Sequence, residues 1–412
     1  MKVLLWTQYF WPENFRINEL TEALKANGLE VTVLTGKPNY PEGRVFPGYR
    51  VTGVQREQYA GARVVRVPLV PRGKKSPFRL VCNYLSFIFS GYVFAPFALK
   101  GQVYDVVFVY APSPLLQAIP ALFMAKLKKV PLVLWVQDLW PESLEDTGFV
   151  KNRQALKLVE LVVRYIYQRS DSILIQSEAF RESVARLAND PNKIHYYPNT
   201  ASSVASESLS AKVLDIAAQI ENTFSVVFAG NIGVAQSIGT LVKAAKLLLP
   251  EKHIQFFIIG SGSQEEWLQE EIGRLNLTNV KLVGRLPYEE MSAIFSAASV
   301  LLVTLKDAKT LSNTVPSKLQ AYLSAGKPIV ASVNGESARI IREAQAGFVC
   351  AAEDWSALAS GILGISKLNA EEYKFLSDNA VEYFNLHFDP AKRVKELIDH
   401  FEFVVAQKRM AR

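Results

Sequence analysis

Short, nearly continuous apolar runs alternate along this chain with longer stretches in which apolar residues return every three or four positions. Residues 3–6, 31–35, 63–68, 106–110, 132–136 and 172–175 have the length and branched composition of strands, while 17–27, 115–127 and 154–170 have the helical period. A strand apolar on both faces must be covered on both, so the alternation predicts a parallel sheet with helices packed on either side. After Asn199, a stretch rich in Ser and Ala at 200–210 reads as a linker, and the pattern then restarts. Strands at 225–229, 255–259, 280–283 and 300–303 alternate with helices at 237–249, 265–275 and 288–297, which predicts a second doubly wound unit. Amphipathic helices at 370–386 and 390–408 follow.

Size agrees with this division. A chain of 412 residues, 49% of them hydrophobic, exceeds one compact core and is expected to form two domains of roughly 150 to 200 residues each. Only Cys82 and Cys350 are present, without ligand-like spacing, so neither a disulfide framework nor a thiolate zinc site is indicated and a reducing cytoplasm is the natural compartment. The opening residues carry one lysine and read as a first strand, not as a signal peptide. His195, His253, His387 and His400 lie far apart in sequence and suggest neither a metal cluster nor a triad.

Charge changes the picture more than composition does. The net +7 divides into +9 for residues 1–200 and −2 for 201–412, and ten bases against the single acid Glu57 lie between Arg44 and Lys100. Residues 80–99 are uncharged, with Arg72, Lys74, Lys75 and Arg79 before them and Lys100 after. That run is long enough to span a bilayer, yet it contains Asn83, Ser86, Ser90, Gly91 and Pro96. An interfacial helical hairpin touching anionic lipid is the expectation, with a core helix or a transmembrane helix as alternatives. No nucleic-acid-binding module is visible.

Candidate chemistry gathers at strand ends and helix starts. Pro316 and Ser317 mark a helix start where the unpaired N–H groups favour an anion, and Lys318 adds a full positive charge that makes sense there mainly with a ligand such as the diphosphate of a sugar nucleotide. A Gly-Lys-Pro break, an apolar strand and a Gly335-Glu336 loop follow, with Arg339 one turn on as a partner for Glu336. Gly230-Asn231-Ile232-Gly233 sits between a strand and a helix, where small residues let backbone N–H groups approach phosphate, although a plain tight turn explains it too. Gln236 stands close by, and Gly260 and Gly262 end the next strand. In the first half, Glu13 and Arg16 follow the first strand, and Asp138 and Glu142 follow the strand at 132–136, where open α/β sheets place functional groups. Either acid suits deprotonation of a hydroxyl, unless Asp138 or Ser143 merely caps the next helix. Trp135 and Trp140 read as packing. No Asp-x-Asp pair appears at a strand end, so no divalent ion is expected.

The cassette at 313–338 resembles the donor-binding region of family-4 glycosyltransferases of GT-B fold, especially bacterial transferases that build O-antigen, colanic acid and capsule repeats. The resemblance recurs in Gln-Tyr-Phe-Trp-Pro-Glu (8–13), Lys-Pro-Asn-Tyr-Pro-Glu-Gly (37–43), Gln-Asp-Leu-Trp-Pro-Glu-Ser (137–143), Ala-Gly-Asn-Ile-Gly (229–233) and Gly-Arg-Leu-Pro (284–287), and is nearest to a fucosaminyltransferase-like subgroup. It implies two Rossmann-like domains facing a central cleft: residues 1–200 for the acceptor, with a docking segment at about 72–100, residues 201–387 for the nucleotide sugar, and 388–412 as a helix crossing back. It implies a retaining, metal-independent transfer from a UDP-sugar, of UDP-N-acetyl-fucosamine type, to an undecaprenyl-diphosphate-linked acceptor at the inner leaflet of the cytoplasmic membrane. The donor site it implies comprises Gly230, Asn231, Gly233, Gln236, Gly260, Gly262, Arg285, Asn313, Ser317, Lys318 and Glu336, with Glu13 and Arg16 on the acceptor side and Asp138, Glu142 and Lys318 in catalysis.

The chain departs from the family at three places. The Glu-x7-Glu signature, counted back from Gly326, falls on Asn313 and Ala321, so both carboxylates are missing, and either Asn313 and Glu336 take over part of their work or donor binding differs. The Arg and Lys common around the 230–233 turn are replaced by Asn231 and Gln236, which leaves Lys318 as the cation. Gly-Gly is absent after the first strand. A sugar-nucleotide 2-epimerase and a catalytically silent membrane scaffold are the rival expectations.

Overall fold

The computed structural model describes residues 1–73, 76–146, 148–201 and 208–411, so Lys74, Lys75 and most of the expected linker lie outside the described residues. The chain divides into two compact units, one of Met1–Pro198 with Ala391–Arg412 and one of Asn199–Pro390.

The first unit is an eight-stranded sheet in the order β3-β4-β2-β1-β5-β6-β7-β8. Its strands are β1 (Lys2–Trp6), β2 (Glu30–Gly36), β3 (Gln55–Tyr59), β4 (Ala62–Val67), β5 (Val106–Ala111), β6 (Leu132–Val136), β7 (Ser172–Ile175) and β8 (Ile194–Tyr196). All neighbours pair in parallel except β3 with β4. Every residue of β5, β6 and β7 is buried, as the two-sided apolar runs require. Helices α1 (Ile17–Ala26), α2 (Pro77–Ala98), α3 (Ala118–Lys128), α4 (Glu142–Asp146), α5 (Arg153–Arg169) and α6 (Arg181–Ala188) connect them.

The apolar run at 80–99 folds as one 22-residue helix and not as a hairpin. Gly91 does not break it: a Cβ there would lie 2.8 Å from both Trp6 and Pro120, so the glycine lets α2 settle onto the core, and Pro96 falls in the last turn. Asn83, Phe87 and Ser90 face inward, while Phe78, Leu85, Phe89 and Phe97 are more than half exposed.

The second unit has a six-stranded, wholly parallel sheet in the order β11-β10-β9-β12-β13-β14. The strands are β9 (Phe224–Ala229), β10 (Ile254–Ile259), β11 (Val280–Gly284), β12 (Val300–Thr304), β13 (Ile329–Ser332) and β14 (Gly347–Cys350). Its helices are α7 (Ala211–Glu221), α8 (Ile238–Leu247), α9 (Glu265–Arg274), α10 (Met291–Ala297), α11 (Lys309–Asn313), α12 (Ser317–Ser324), α13 (Gly335–Glu343), α14 (Trp355–Ser366) and α15 (Ala370–His387). Two apolar clusters, one on each face of the sheet, fill the unit.

The last helix, α16 (Pro390–Met410), returns to the first unit, where Val394, Leu397, Phe401, Val404 and Val405 join the cluster formed by β1, β2, β4 and α1. Lys408 pairs with Asp171 at 2.5 Å, and the His400 ring meets the hydroxyl of Ser172 at 2.8 Å. His400 also lies 4.6 Å from His195, ring to ring, so two histidines remote in sequence are neighbours in space.

Candidate active site

In the second unit, three loops leave the carboxyl ends of β9, β10 and β11 side by side. The N–H of Gly230 donates to Ile259 O (2.9 Å), that of Gly260 to Gly284 O (2.9 Å), that of Ile232 to Ser261 O (3.0 Å), and that of Gln264 to Ile232 O (2.9 Å). The approach is close enough to demand glycine. A Cβ on Gly260, whose φ is +139°, would lie 1.8 Å from the Gly230 carbonyl oxygen, and one on Gly262 would lie 2.3 Å from that of Ile232. Asn231 Nδ2 donates to Gln236 Oε1 at 3.2 Å, so these two side chains brace the turn around Gly233.

Helix α12 points its start at this turn. Tyr322 anchors it, its hydroxyl accepting the Ala229 N–H at 3.0 Å, and no side chain caps the first turn behind Pro316. Lys318, on that first turn, directs Nζ over the Phe228 ring, 3.9 Å from its centroid, and 3.4 Å from where a Gly230 Cβ would stand. The nitrogen is buried and has no hydrogen-bond partner among the described residues. Burial pushes its pKa down to about 7, and no carboxylate offsets that. An amine desolvated at a helix start is a receptor for negative charge.

Glu336 is not a loop acid. It lies in the first turn of α13, only 4% exposed, and holds the Arg339 guanidinium through both oxygens at 2.7 and 3.1 Å. Gly335, with φ +66°, leaves room for the Ser312 carbonyl, which a Cβ would approach to 2.1 Å, and so brings the end of α11, where Asn313 lies, against the start of α13. Ser317 and Arg285 are exposed at the start of α12 and after β11.

In the first unit, Glu13 is 2% exposed and its carboxylate accepts three backbone N–H groups: Asn39 and Tyr40 at 2.7 Å each and Phe10 at 3.2 Å. It clamps the loop after β2 to the loop after β1, and burial pushes its pKa up to about 7 despite those donors. Arg16 immediately precedes α1, within electrostatic reach of Tyr110. Asp138 follows β6, and its Oδ2 accepts from Trp140 Nε1 (3.2 Å) and Ser143 Oγ (3.0 Å). Burial pushes this carboxyl up to about 6, the range of a general base near neutrality. Glu142 takes Arg186 Nη2 on one oxygen at 3.3 Å and buries the other without a donor among the described residues. Among the described residues no group of three or more His, Cys, Asp or Glu is placed to hold a metal ion.

Residues 14–200 match the family described as Glycosyl transferase 4-like domain, and residues 214–383 match Glycosyl transferases group 1. The chain is a glycosyltransferase of GT-B fold that carries these two family domains. A relative, the Escherichia coli K12 protein named as colanic acid biosynthesis glycosyl transferase WcaI, is 25% identical over 79% of this chain and 82% of its own. The fold agrees: sucrose-phosphate synthase from Thermosynechococcus elongatus superposes with a TM-score of 0.72 at 18% identity, covering 98% of this chain and 99% of that one. HepE of Anabaena, in complex with UDP, gives 0.69 at 13% identity, covering 98% and 100%.

In this glycosyltransferase the residues singled out in sequence thus fall into distinct groups. Gly230, Gly233, Gly260, Gly262 and Lys318 come together at one turn, Asn313 and Glu336 mark the contact of α11 with α13, and Asp138 with Glu142 share one loop of the first unit. Sequence reasoning missed Tyr9, Arg72 and Tyr84 of the first unit, whose contacts tie together the loops after β1, β4 and β5. Their signals were the placing of Arg72 in the basic segment and of Tyr9 in the 8–13 run.

Proposed function

We propose that this glycosyltransferase transfers the sugar of a UDP-sugar, of UDP-N-acetyl-fucosamine type, with retention of configuration and without a metal, to an undecaprenyl-diphosphate-linked saccharide during assembly of a bacterial surface polysaccharide. The single observation that carries the reading is the Lys318 ammonium, buried without an acceptor at the glycine turn and the uncapped start of α12. A nucleotide diphosphate supplies the missing negative charge, and the same amine steadies it as the bond from the sugar to phosphate breaks. The acceptor oxygen forms the new bond, and its proton passes to the Asp138 carboxylate. The UDP-bound state of HepE and the name of WcaI support the donor and the pathway class. The exposed row Phe78, Leu85, Phe89 and Phe97, flanked by Arg72, Arg79 and Lys100, supports docking on the anionic inner leaflet.

The test is calorimetric titration of UDP, followed by turnover over a panel of UDP-sugars. Lys318→Ala is expected to lower kcat/KM by about a hundredfold, the scale of one preorganised charge in a transition state, and excess chelator is expected to leave the wild type unchanged. Unaltered UDP affinity and turnover in the variant would sink the assignment.

A further inference from the structure

Arg72 has no task in the reading above beyond flanking the docking row. Its backbone N–H donates to Asn39 Oδ1 at 3.0 Å, and its guanidinium lies over the Tyr40 ring, 4.8 Å from the centroid. It makes no carboxylate ion pair among the described residues.

Beneath it runs a chain of buried amides. Asn39 Oδ1 also accepts from Asn83 Nδ2 (3.4 Å), Asn83 Oδ1 accepts from Gln8 Nε2 (2.7 Å), and Gln8 Nε2 reaches the Tyr9 hydroxyl (3.5 Å). Asn39 and Asn83 are wholly buried, so this network fixes the loop after β4 to the inner face of α2. Tyr84, the next residue on α2, interacts with the hydroxyls of Tyr9 and Ser113, and it feels the charges of Arg72 and Asp138. Burial pushes the pKa of both phenols up, which keeps them neutral donors, and Arg72 acts on both in the opposite sense. The Tyr40 ring beneath the Arg72 guanidinium lies 5.9 Å from the Tyr9 ring, and Tyr84 follows Asn83 of the same amide network, so a guanidinium and two phenols border one group of loops, a set rich in donors that suits an anion.

The surroundings specify which anion. Helix α2 starts at Pro77, five residues after Arg72, and its outer face carries the exposed row from Phe78 to Phe97. At a rise of about 1.5 Å per residue that row extends for roughly 28 Å. An anionic head with a long apolar tail fits both features.

We propose that Arg72, with the hydroxyls of Tyr9 and Tyr84, holds the diphosphate of a polyprenyl-diphosphate acceptor whose hydrocarbon lies along the outer face of α2. The inference rests on the lipid-linked acceptor of the proposed function and assigns it a site.

The test uses farnesyl diphosphate, farnesol and inorganic pyrophosphate as probes, titrated into the full chain with UDP present in saturating amount to fill the donor site. Wild type is expected to bind farnesyl diphosphate more tightly than either other probe. Arg72→Ala is expected to weaken farnesyl diphosphate about tenfold while leaving farnesol unchanged, the loss typical of a charge-assisted contact. Arg72→Lys recovers part of this, because it keeps the charge without the fork. Tyr84→Phe, expected to be several-fold weaker, serves as a second variant if Arg72→Ala melts early. Wild-type affinity in both variants overturns the proposal, as does equal wild-type binding of farnesol, or of pyrophosphate, and farnesyl diphosphate. Titration of UDP alone separates the two readings: if UDP does not bind while Arg72 still governs farnesyl diphosphate binding, only the transfer reading fails.

Discussion

The two units share one architecture, yet three charges buried in their loops and helix starts are answered very differently. In the first, Glu13 is buried with three backbone donors around it, and Asp138 with Trp140 and Ser143, so each carboxylate ties loops together. In the second, the Lys318 amine is buried over an aromatic face with no acceptor among the described residues. A satisfied charge fixes local structure, whereas an unsatisfied one is an energetic debt until a ligand arrives. The difference separates residues that shape the fold from residues that await a substrate, although all three are buried charged groups in loops or at helix starts.

Glu13→Ala attacks the comparison where the effect is largest. It leaves three buried N–H groups without their acceptor, and with a loss of 1 to 3 kcal/mol usual for each such group, a net destabilisation of about 4 kcal/mol is expected. The check is denaturant unfolding of the isolated chain, with UDP affinity measured on the folded fraction. Destabilisation with unchanged UDP affinity keeps Glu13 as a structural clamp. A stable variant that has lost acceptor turnover would move it to the substrate.

This division was only half legible in the sequence. The strands at β5, β6 and β12 stand out because residues buried on both faces leave unbroken apolar runs, and the helix start at Pro316-Ser317-Lys318 shows because proline, serine and a misplaced cation have few other uses together. Strand β3, Gln-Arg-Glu-Gln-Tyr, gave no signal, since an antiparallel edge strand is held by its ladder to β4 and needs no apolar pattern. Gly91 and Pro96 read as breaks in α2, but the reason for Gly91 is the contact with Trp6 and Pro120, which no local pattern records. Glu336 read as a loop acid because the Gly335 turn hides the helix that starts on it. The pairing of His195 with His400 and the meeting of Tyr9, Tyr84 and Arg72 depend on tertiary contacts between remote segments, and spacing along the chain carries no trace of them.

The second test sharpens the other side of the comparison. Lys318→Met keeps the length of the side chain and removes the unpaired amine, so the free protein is expected to melt at the same temperature or higher while UDP binds at least about tenfold more weakly. A variant that melts earlier and binds UDP normally would place Lys318 with Glu13, among the residues that hold the fold.

The smallest expected effect is also the most specific, because it follows the proton. In the free protein the Lys318 pKa lies at about 7, against 10.5 for an ordinary lysine. Between those values the unfolded chain binds the proton and the folded chain does not, so stability rises with pH across this window and loses that contribution below about 7, where both states are protonated. A bound diphosphate favours the ammonium and raises its pKa, so UDP binding above neutrality must draw in a proton. Near pH 8, titrations of UDP in buffers of different ionisation enthalpy are expected to show wild type taking up close to one proton more than Lys318→Met, with UDP affinity falling by up to about tenfold per pH unit above the free-protein pKa. The phosphate's own titration is common to both proteins and cancels in the difference. Equal uptake by the two proteins would mean that the amine keeps its protonation state when UDP binds, and the contrast between an answered and an unanswered charge would then lose its functional meaning.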